Sequence, residues 1–254
     1  MRIVSLVPSL TETLFHLGLD REVVGVTNFC VHPKGAVARK RRVGGTKNPD
    51  VKAILALEPT LVVVNTEENR REDVDAIAKG GAPVHVTDIR TVARAVDAVR
   101  GLGEATGAIG PAKALAKRLE EAAREAAARR GPPVKVYCPI WRDPWMTMNG
   151  DTYAHDALAH AGAANVFADA SARWCDGTPA EALARGAEAA LLPSEPYPFS
   201  GKHVDDLVAA GFPRARVGLV DGEALTWYGV RTARGLHALV DAVDRVRLPG
   251  PRGL

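Results

Sequence analysis

Short apolar, β-branched runs alternate along the chain with stretches of helical period. Apolar runs of this length suit parallel strands that are buried on both faces, and the helices between them supply the crossovers. The predicted strands cover residues 3–7, 23–26, 61–64, 84–86, 134–138, 190–192 and 217–220. The pattern therefore predicts an α/β fold built from βαβ units with parallel sheets.

One long helical segment interrupts this alternation. Residues 111–130 contain no helix breaker, and Leu115 and Leu119 stand one turn apart among alanines. Pro111 suits a first helical turn and Gly131 follows the end, so the helix has about 20 residues and spans roughly 30 Å. We predict an N-terminal lobe over residues 1–105, a stiff connecting helix within 106–132 and a C-terminal lobe over 133–254. A cleft between two such lobes is where a ligand usually binds.

Composition narrows the class of protein. The chain of 254 residues is 46% hydrophobic and 25% charged, which is typical of a globular protein and excludes a disordered or fibrous one. Its 33 Lys and Arg residues against 30 Asp and Glu residues leave a net charge of +3, too even for a nucleic-acid-binding surface. No window approaches the ~18 apolar residues of a membrane span. We therefore expect neither a nucleic-acid partner nor a membrane span.

Cysteine usage and the N-terminal residues bear on location. The three cysteines, Cys30, Cys138 and Cys175, cannot all pair within one chain. Reduced thiols are typical of cytoplasmic proteins. Residues 1–8 lack the apolar core of roughly 7–15 residues and the small-residue cleavage site of a secretory signal. We expect a cytoplasmic protein; the alternative is an exported protein whose leader has been removed.

Tryptophan is concentrated in two loops that follow predicted strands, where α/β proteins build sites. An indole beside a guanidinium offers a flat apolar wall and an anion fork, which suits a planar or carboxylate-bearing ligand. The alternative is that these tryptophans fill the cores of the lobes. The candidate ligand-binding residues are Trp141, Arg142 and Trp145 in the first loop and Trp227, Tyr228 and Arg231 in the second.

A proline-rich loop follows the predicted strand at 190–192. Its sequence over residues 193–199 is Pro-Ser-Glu-Pro-Tyr-Pro-Phe. The prolines favour an extended chain, so Glu195, Tyr197 and Phe199 are predicted to project at alternate positions from a stiff loop. We interpret it as a site loop, with a rigid structural turn as the alternative.

In the N-terminal half, polar residues follow the predicted strand at 61–64. Asn65 comes directly after this segment and is followed by Thr66, Glu67 and Glu68. One interpretation is that Thr66 caps a helix whose first turn carries acidic residues. The other is that these three residues contact a ligand.

Cys30 and His32 form a Cys-x-His pair after the predicted strand at 23–26. A thiolate and an imidazole two residues apart are half of a workable site for zinc, iron or copper. A complete metal site would need Glu67, Glu195 or His203 from elsewhere in the chain. The alternatives are that these are ordinary loop residues, or that His32 is an axial ligand to a corrinoid or haem.

Four segments, taken in order, resemble one protein family. They are residues 3–12 (Ile-Val-Ser-Leu-Val-Pro-Ser-Leu-Thr-Glu), 24–27 (Val-Gly-Val-Thr), 43–45 (Val-Gly-Gly) and 54–63 (Ile-Leu-Ala-Leu-Glu-Pro-Thr-Leu-Val-Val). They are similar to landmarks of the class III periplasmic-binding-type proteins, the helical-backbone receptors for cobalamin, siderophores, haem and metals. Thr60 stands where the family signature has Asp. The resemblance covers nearly the whole chain and is nearest to the cobalamin-binding receptors of ABC importers.

The resemblance implies two α/β lobes, one rigid connecting helix and a ligand held between the lobes. It places Pro8 and Ser9 among the candidate ligand contacts, and it implies that the loop with Thr66, Glu67 and Glu68 contributes as well. The implied ligand is cobalamin, haem or a transition metal.

This sequence departs from the importer pattern at two positions. Family members that deliver a ligand to an ABC permease usually present a Glu from each lobe to arginines of the permease. Alignment on Leu55 and Leu183 puts Lys52 and Ala180 at those positions. A reversed charge and a missing carboxylate weaken an arginine-mediated contact. We therefore expect an intracellular relative that does not dock on an importer.

The leading hypothesis is a non-catalytic small-molecule carrier for a cobalamin-like tetrapyrrole or a chelated metal. One alternative is direct metal binding through Cys30, His32 and carboxylates. Another is an enzyme on a binding-protein scaffold, with Glu67, Glu195 and His203 as acid–base candidates. The sequence contains none of the common nucleotide-binding, serine hydrolase or zinc protease motifs.

Overall fold

Two units make up the part of the chain that the structure describes. The structure is a computed structural model and describes residues 1–247. The first unit comprises residues 1–89, 93–119 and 228–230, and the second comprises residues 90–92, 120–227 and those from 231 onward.

The first unit is built on a five-stranded parallel sheet. Its strands are β1 (Ile3–Ser5), β2 (Val23–Val26), β3 (Arg41–Arg42), β4 (Leu61–Asn65) and β5 (Val84–Thr87), in the order β3-β2-β1-β4-β5. The helices are α1 (Pro8–His16), α2 (Val51–Ala56), α3 (Arg71–Lys79) and α4 (Val92–Thr106), of which α4 belongs to this unit from Ala93. β1 pairs with both β2 and β4, so it lies at the centre of the sheet and its three residues are buried.

The second unit contains a four-stranded parallel sheet and one antiparallel pair. The sheet consists of β6 (Val134–Tyr137), β8 (Ala163–Asn165), β10 (Ala189–Pro193) and β11 (Val217–Val220), in the order β11-β10-β6-β8. The antiparallel pair is β7 (Met146–Met148) with β9 (Trp174–Asp176). The helices are α6 (Tyr153–His160), α7 (Pro179–Ala184), α8 (Gly201–Ala209), α9 (Gly222–Thr226) and α10 (Thr232–Val246). The ring of Tyr137 lies 5.9 Å from that of Phe167 and 6.2 Å from that of Phe212 in the core.

The predicted long helix is present as α5 (Ile109–Arg129), which has 21 residues. Its buried positions recur at helical spacing: Ala112, Leu115, Ala116, Leu119, Ala122 and Ala126. The first half of α5, up to Leu119, belongs to the first unit, and the second half belongs to the second unit. The α/β class with two units and a connecting helix is thus confirmed, whereas the boundaries proposed at 105 and 132 stay a prediction.

Each of the seven predicted strands is present, with ends that shift by up to two residues. Four strands were not predicted: β3, β7, β8 and β9. Each has only two or three residues, and none is an uninterrupted run of β-branched residues. Their pairing partners rather than their own composition make them strands.

Candidate functional site

In both units the candidate residues follow strands of a parallel sheet. In the first unit they follow β1, β2 and β4, and in the second they follow β6, β10 and β11. Because parallel strands end at the same edge of a sheet, each unit gathers its own candidates at the carboxyl edge.

One buried amide ties the loops of the first unit together. Asn69 Nδ2 donates to the carbonyl oxygens of Leu6 at 3.3 Å and Thr46 at 3.0 Å, and Asn69 Oδ1 accepts from the backbone N–H of Asn65 at 2.9 Å. The side chain of Asn69 is buried. It joins the segments that follow β1, β3 and β4. Sequence reasoning missed this role, because an Asn near a helix start looks like an ordinary turn residue.

Thr66 does not cap a helix, so the capping interpretation was wrong. Helix α3 begins at Arg71 with Arg70 at its N-cap position, four residues beyond Thr66. The Thr66 hydroxyl donates instead to Asp88 Oδ1 at 2.9 Å. The hydrogen bond joins the loops that follow β4 and β5.

The two acidic residues of this loop have a fixed backbone. The Glu67 N–H donates to Asn65 Oδ1 at 2.8 Å, and the Glu67 carbonyl accepts from Lys47 Nζ. The side chains of Glu67 and Glu68 are half-buried. Glu67 and Glu68 lie at the carboxyl edge of the sheet but not in the first turn of a helix. Their contact with a ligand stays a prediction.

Cys30 anchors the loop that follows β2. Its Sγ lies 3.1 Å from Thr11 Oγ1 and 3.2 Å from Thr27 Oγ1, inside the first unit. Arg42 Nη1 donates to the carbonyl oxygens of Thr27 and Cys30. Burial raises the pKa of the Cys30 thiol, although the two hydroxyls and Arg42 act in the opposite direction. A buried, protonated thiol is a poor metal ligand.

Beside Cys30, the loop presents two apolar side chains to solvent. Phe29 is 60% exposed and Val31 is 46% exposed. His32 is half-buried and precedes a cis peptide bond to Pro33. Sequence reasoning passed over Phe29 and Val31. The available signal was the presence of two apolar residues in a loop next to the candidate residues.

The three remaining candidates of the first unit are buried. Pro8 and Ser9 form the first turn of α1, and the Ser9 carbonyl accepts from Thr13 Oγ1 at 2.9 Å. Tyr228 is 3% exposed, and the neighbouring Val230 N–H donates to Thr13 Oγ1 at 3.0 Å. Tyr228 belongs to the first unit, whereas Trp227 and Arg231 of the same loop belong to the second.

In the second unit, the loops after β6 and β10 share an aromatic cluster. We use this name for Trp141, Trp145, Tyr197, Phe199 and His203. Trp145 stacks on Phe199 with ring centroids 5.9 Å apart, and Tyr197 lies 4.6 Å from Phe199 and 5.5 Å from Trp141. Phe199 is part of the core, so its predicted projection from the loop was wrong. Trp141 is 44% exposed and forms the outer edge of the cluster.

His203 is a helix cap. Its Nδ1 accepts from the Ser200 N–H at 2.9 Å, within a capping box at the start of α8. Its ring packs edge-on against Tyr197 and Phe199, each 5.4 Å away. Burial lowers the pKa of His203, and the charges of Lys202 and Arg142 add to this. Because the cap uses the lone pair of Nδ1, the neutral ring carries its proton on Nε2, which then has no lone pair to offer a metal.

Both candidate arginines of the second unit are paired. Arg142 Nη2 lies 3.1 Å from Asp206 and Nη1 lies 3.3 Å from Asp143, and its guanidinium is 5.7 Å from the Trp145 ring. Arg231 pairs with Glu223. Carboxylates of the chain thus pair with both guanidinium groups, and the expectation of an anion fork stays a prediction.

Glu195 is engaged with the loop that follows β11. Glu195 Oε1 accepts from Trp227 Nε1 at 2.7 Å and from Thr226 Oγ1 at 3.1 Å. Burial raises the pKa of Glu195, whereas these two hydrogen bonds act in the opposite direction. Trp227 also has the guanidinium of Arg231 over its ring, 4.9 Å from the centroid.

Trp174 was not among the predicted site residues. It lies on β9 opposite Met148 and is 41% exposed. An exposed indole on a short antiparallel pair is a further candidate for contact with an apolar ligand. Its own sequence context, with no predicted strand before it, offered no signal.

Within residues 1–247, no group of three or more His, Cys, Asp or Glu side chains is arranged to hold a metal ion. The candidates were Cys30, His32, Glu195 and His203. The side chains of Cys30, Glu195 and His203 are each used inside their own units by the contacts described above. Direct metal binding through these four residues therefore stays a prediction.

A cavity of about 480 Å³ lies elsewhere in the second unit, along β8. Its lining is mostly alanine and glycine, with Arg130, His155 and Asn165 as its polar side chains. Asn165 is used within the fold, since its amide donates to the Met148 carbonyl and accepts from the Phe167 N–H. The cavity is separate from the candidate residues.

Comparison with known proteins identifies the family. A family model described as "Periplasmic binding protein" matches residues 3–192. The chain belongs to the periplasmic binding protein family. Among curated members of this family, the vitamin B12-binding protein of Yersinia pestis (strain Pestoides F) is 25% identical over 175 residues, which cover 68% of this chain and 62% of that protein. The match thus spans less than two thirds of the length of these relatives.

Solved structures of periplasmic binding proteins share the fold over almost the whole chain. The periplasmic vitamin B12 binding protein BtuF of Vibrio cholerae superposes with a TM-score of 0.83 at 16% identity and covers 98% of both chains. The periplasmic heme-binding protein RhuT from Roseiflexus sp. RS-1 has a TM-score of 0.82 at 26% identity and covers 97% of this chain and 99% of its own. The resemblance to this family noted from four sequence segments is confirmed.

Among the described residues, no helix is both long and apolar enough to cross a membrane.

Proposed function

We propose that this periplasmic-binding-type protein binds a cobalamin-type corrinoid. The observation that carries the proposal is that both candidate arginines form ion pairs within the chain. Arg142 is paired with Asp206 and Asp143, and Arg231 is paired with Glu223. Next to them stand aromatic rings, of which Trp141 is 44% exposed. Flat apolar surface without an unpaired guanidinium suits a macrocycle whose edge carries neutral groups.

The same observation separates a corrinoid from haem. The corrin ring of cobalamin carries amide side chains, whereas haem carries two propionate carboxylates. A buried carboxylate needs a cation or several donors, and the paired arginines are poor partners for one. Glu67 and Glu68, whose side chains are half-buried, suit acceptance of hydrogen bonds from amides. The curated vitamin B12-binding relatives support this choice, whereas the structure of RhuT, at 26% identity, is that of a heme-binding protein.

Calorimetric titration with cyanocobalamin and with haemin tests the proposal. We expect saturable binding of cyanocobalamin at micromolar concentration and at least about tenfold weaker binding of haemin, a difference of about 1.4 kcal/mol. Binding of haemin alone, or of neither compound, contradicts the proposal.

A matched pair of variants connects binding with the exposed aromatic residues. Trp141→Ala removes a 44% exposed ring from the loop that follows β6, and Ile109→Ala removes a 62% exposed apolar side chain from the start of α5. We expect the first to weaken cyanocobalamin binding about tenfold and the second to leave it within about twofold, because stacking requires the ring. Equal effects of the two variants would show that Trp141 is not a contact.

We further propose a carrier role without docking on an ABC importer and a place in the cytoplasm. Lys52 and Ala180, at the second residues of α2 and α7, are exposed where the resemblance expects two glutamates. Cys30, Cys138 and Cys175 are free thiols. Fractionation of the source cells with immunodetection tests the location. Protein recovered with the secreted or membrane-associated fraction, or co-purification with a permease, overturns this part of the proposal.

A further inference from the structure

One carboxylate holds the edge of the Trp227 indole. Trp227 Nε1 donates to Glu195 Oε1 across 2.7 Å, and Thr226 Oγ1 donates to the same oxygen across 3.1 Å. A hydrogen bond of this length to a carboxylate is among the stronger ones in proteins. Because the donor lies at the rim of the ring, the bond restricts rotation of the indole about its side-chain torsions.

A guanidinium covers one face of the same ring. Arg231 Cζ is 4.9 Å from the centroid of the Trp227 ring, and Arg231 Nη1 pairs with the carboxylate of Glu223. Arg231 is 7% exposed. Because the ion pair holds the guanidinium in place, the cation–π contact restricts the tilt of the indole.

The backbone brings Glu195 to Trp227. Gly222 lies so close to Glu195 that a Cβ on Gly222 would come within 2.4 Å of the Glu195 backbone nitrogen. The Gly222 N–H donates to Ser194 Oγ at 2.9 Å. The loops that follow β10 and β11 therefore meet at the residue that carries the carboxylate. A side chain at position 222 would force them apart.

Burial of the Glu195 carboxylate costs free energy of folding, which a residue with only a packing role would not require. Burial raises the pKa of Glu195, and the charges of Glu223 and Asp221 raise it further. An apolar residue at position 195 would fill the same volume without a desolvated carboxylate. A functional surface, in contrast, needs supporting residues that lock the orientation of the side chain that makes the contact.

We propose that Glu195 and Arg231 are positioning residues that hold the Trp227 indole in one orientation as a stacking surface for a planar conjugated ligand. The proposal rests on the proposed function, because the corrinoid supplies that ligand. Glu195 and Arg231 act through Trp227: the carboxylate accepts from the indole and from Thr226, and the guanidinium contacts Glu223 and the ring.

The first measurement needs no ligand. In ¹⁵N-labelled protein, the indole N–H resonance that disappears in Trp227→Phe is assigned to Trp227. Glu195→Ala should move this resonance toward that of a solvated indole and accelerate its hydrogen exchange, whereas Glu195→Gln keeps an oxygen acceptor and should give a smaller shift. Glu104→Ala, at an exposed position on α4, is the control. A Trp227 resonance that is the same in the wild type and in Glu195→Ala overturns the positioning role.

The second measurement is titration with cyanocobalamin. We expect Trp227→Ala to weaken binding about tenfold, Glu195→Ala and Arg231→Ala about fivefold, and Glu195→Gln less than about threefold. Circular dichroism verifies folding of each variant. If Glu195→Ala does not fold, Trp227→Phe removes the same hydrogen bond from the other side, and its affinity should lie between those of the wild type and Trp227→Ala.

The outcomes separate the two proposals. If the wild type binds and Trp227→Ala binds equally well, the stacking surface is refuted while the proposed function stands. If the wild type binds no corrinoid, the proposed function fails and the stacking surface fails with it. In that case the indole resonance still decides whether Glu195 holds Trp227.

Discussion

Asn69→Ala is the substitution that tests the architecture of the first unit most directly. The side chain is 5% exposed and makes three hydrogen bonds, to the Asn65 N–H and to the carbonyl oxygens of Leu6 and Thr46. A hydrogen bond contributes about 1 kcal/mol net, and a buried group left without a partner costs about 1–3 kcal/mol. The expected loss is therefore about 3 kcal/mol, a large part of the roughly 5–15 kcal/mol that stabilises a typical domain.

Urea unfolding followed by circular dichroism measures this loss. Asn28→Ala is the matched control, because Asn28 is exposed on a neighbouring loop, and it should change the free energy of unfolding by less than about 0.5 kcal/mol. Asn69→Asp keeps the acceptor but turns an anionic oxygen toward two carbonyl oxygens, so it should cost at least as much as Asn69→Ala. The reasoning is refuted if Asn69→Ala and Asn28→Ala have equal stability, since Asn69 would then not join the loops.

Three further predictions concern Glu195, its neighbour Gly222 and the thiols. Because burial raises the pKa of Glu195, the stability that this residue contributes in its protonated form is lost as the pH rises through that pKa. Glu195→Gln should therefore raise the melting temperature more at about pH 8 than at about pH 4. Equal shifts of the melting temperature at the two pH values would contradict this. Gly222→Ala should destabilise the protein by about 1–3 kcal/mol, because the added Cβ clashes with Glu195. The control is Gly201→Ala, which should not destabilise the protein, since a Cβ at position 201 meets nothing within 4 Å. Similar melting temperatures of the two variants would be evidence against the clash. Burial raises the pKa of both thiols, but Cys30 is fully buried and Cys175 only half-buried, so iodoacetamide should modify Cys175 in the native protein well before Cys30. Mass spectrometry that finds Cys30 modified first would argue against its anchoring role.

Seven strands and the long helix could be predicted because their sequence signals are local. β2 and β11 match the apolar runs at 23–26 and 217–220 residue for residue. Helix α5 has Pro111 in its first turn and ends just before Gly131, Pro132 and Pro133. Periodicity and helix-breaking residues are properties of neighbouring residues, so a single sequence is sufficient to detect them.

The roles of individual side chains could not be predicted in the same way. Asn69 acts on Leu6 and Thr46, which are distant in sequence, and His203 turned out to cap its own helix although it was a metal and acid–base candidate. Arg231 was expected to bind an anion, and the structure pairs it with Glu223, a partner that the sequence did not indicate. A residue type states which chemistry is available, whereas the partner that uses it is decided by the tertiary structure.

Residues 54–59 (Ile-Leu-Ala-Leu-Glu-Pro) and 182–187 (Ala-Leu-Ala-Arg-Gly-Ala) are weakly similar, and this similarity has a structural basis. Helices α2 and α7 each have six residues and start from a side-chain cap, Asp50 and Thr178, that accepts from the N–H three residues later. Each is followed by a left-handed residue, Glu58 with φ of 45° and Gly186 with φ of 85°. A strand of the parallel sheet comes next in both units. A left-handed conformation favours glycine, which the second unit has as Gly186, whereas the first unit has Glu58 at this place. The fold therefore imposes the turn geometry in both units. The two units therefore repeat one helix–turn–strand plan, and the candidate residues that distinguish them lie in the loops at the carboxyl edges.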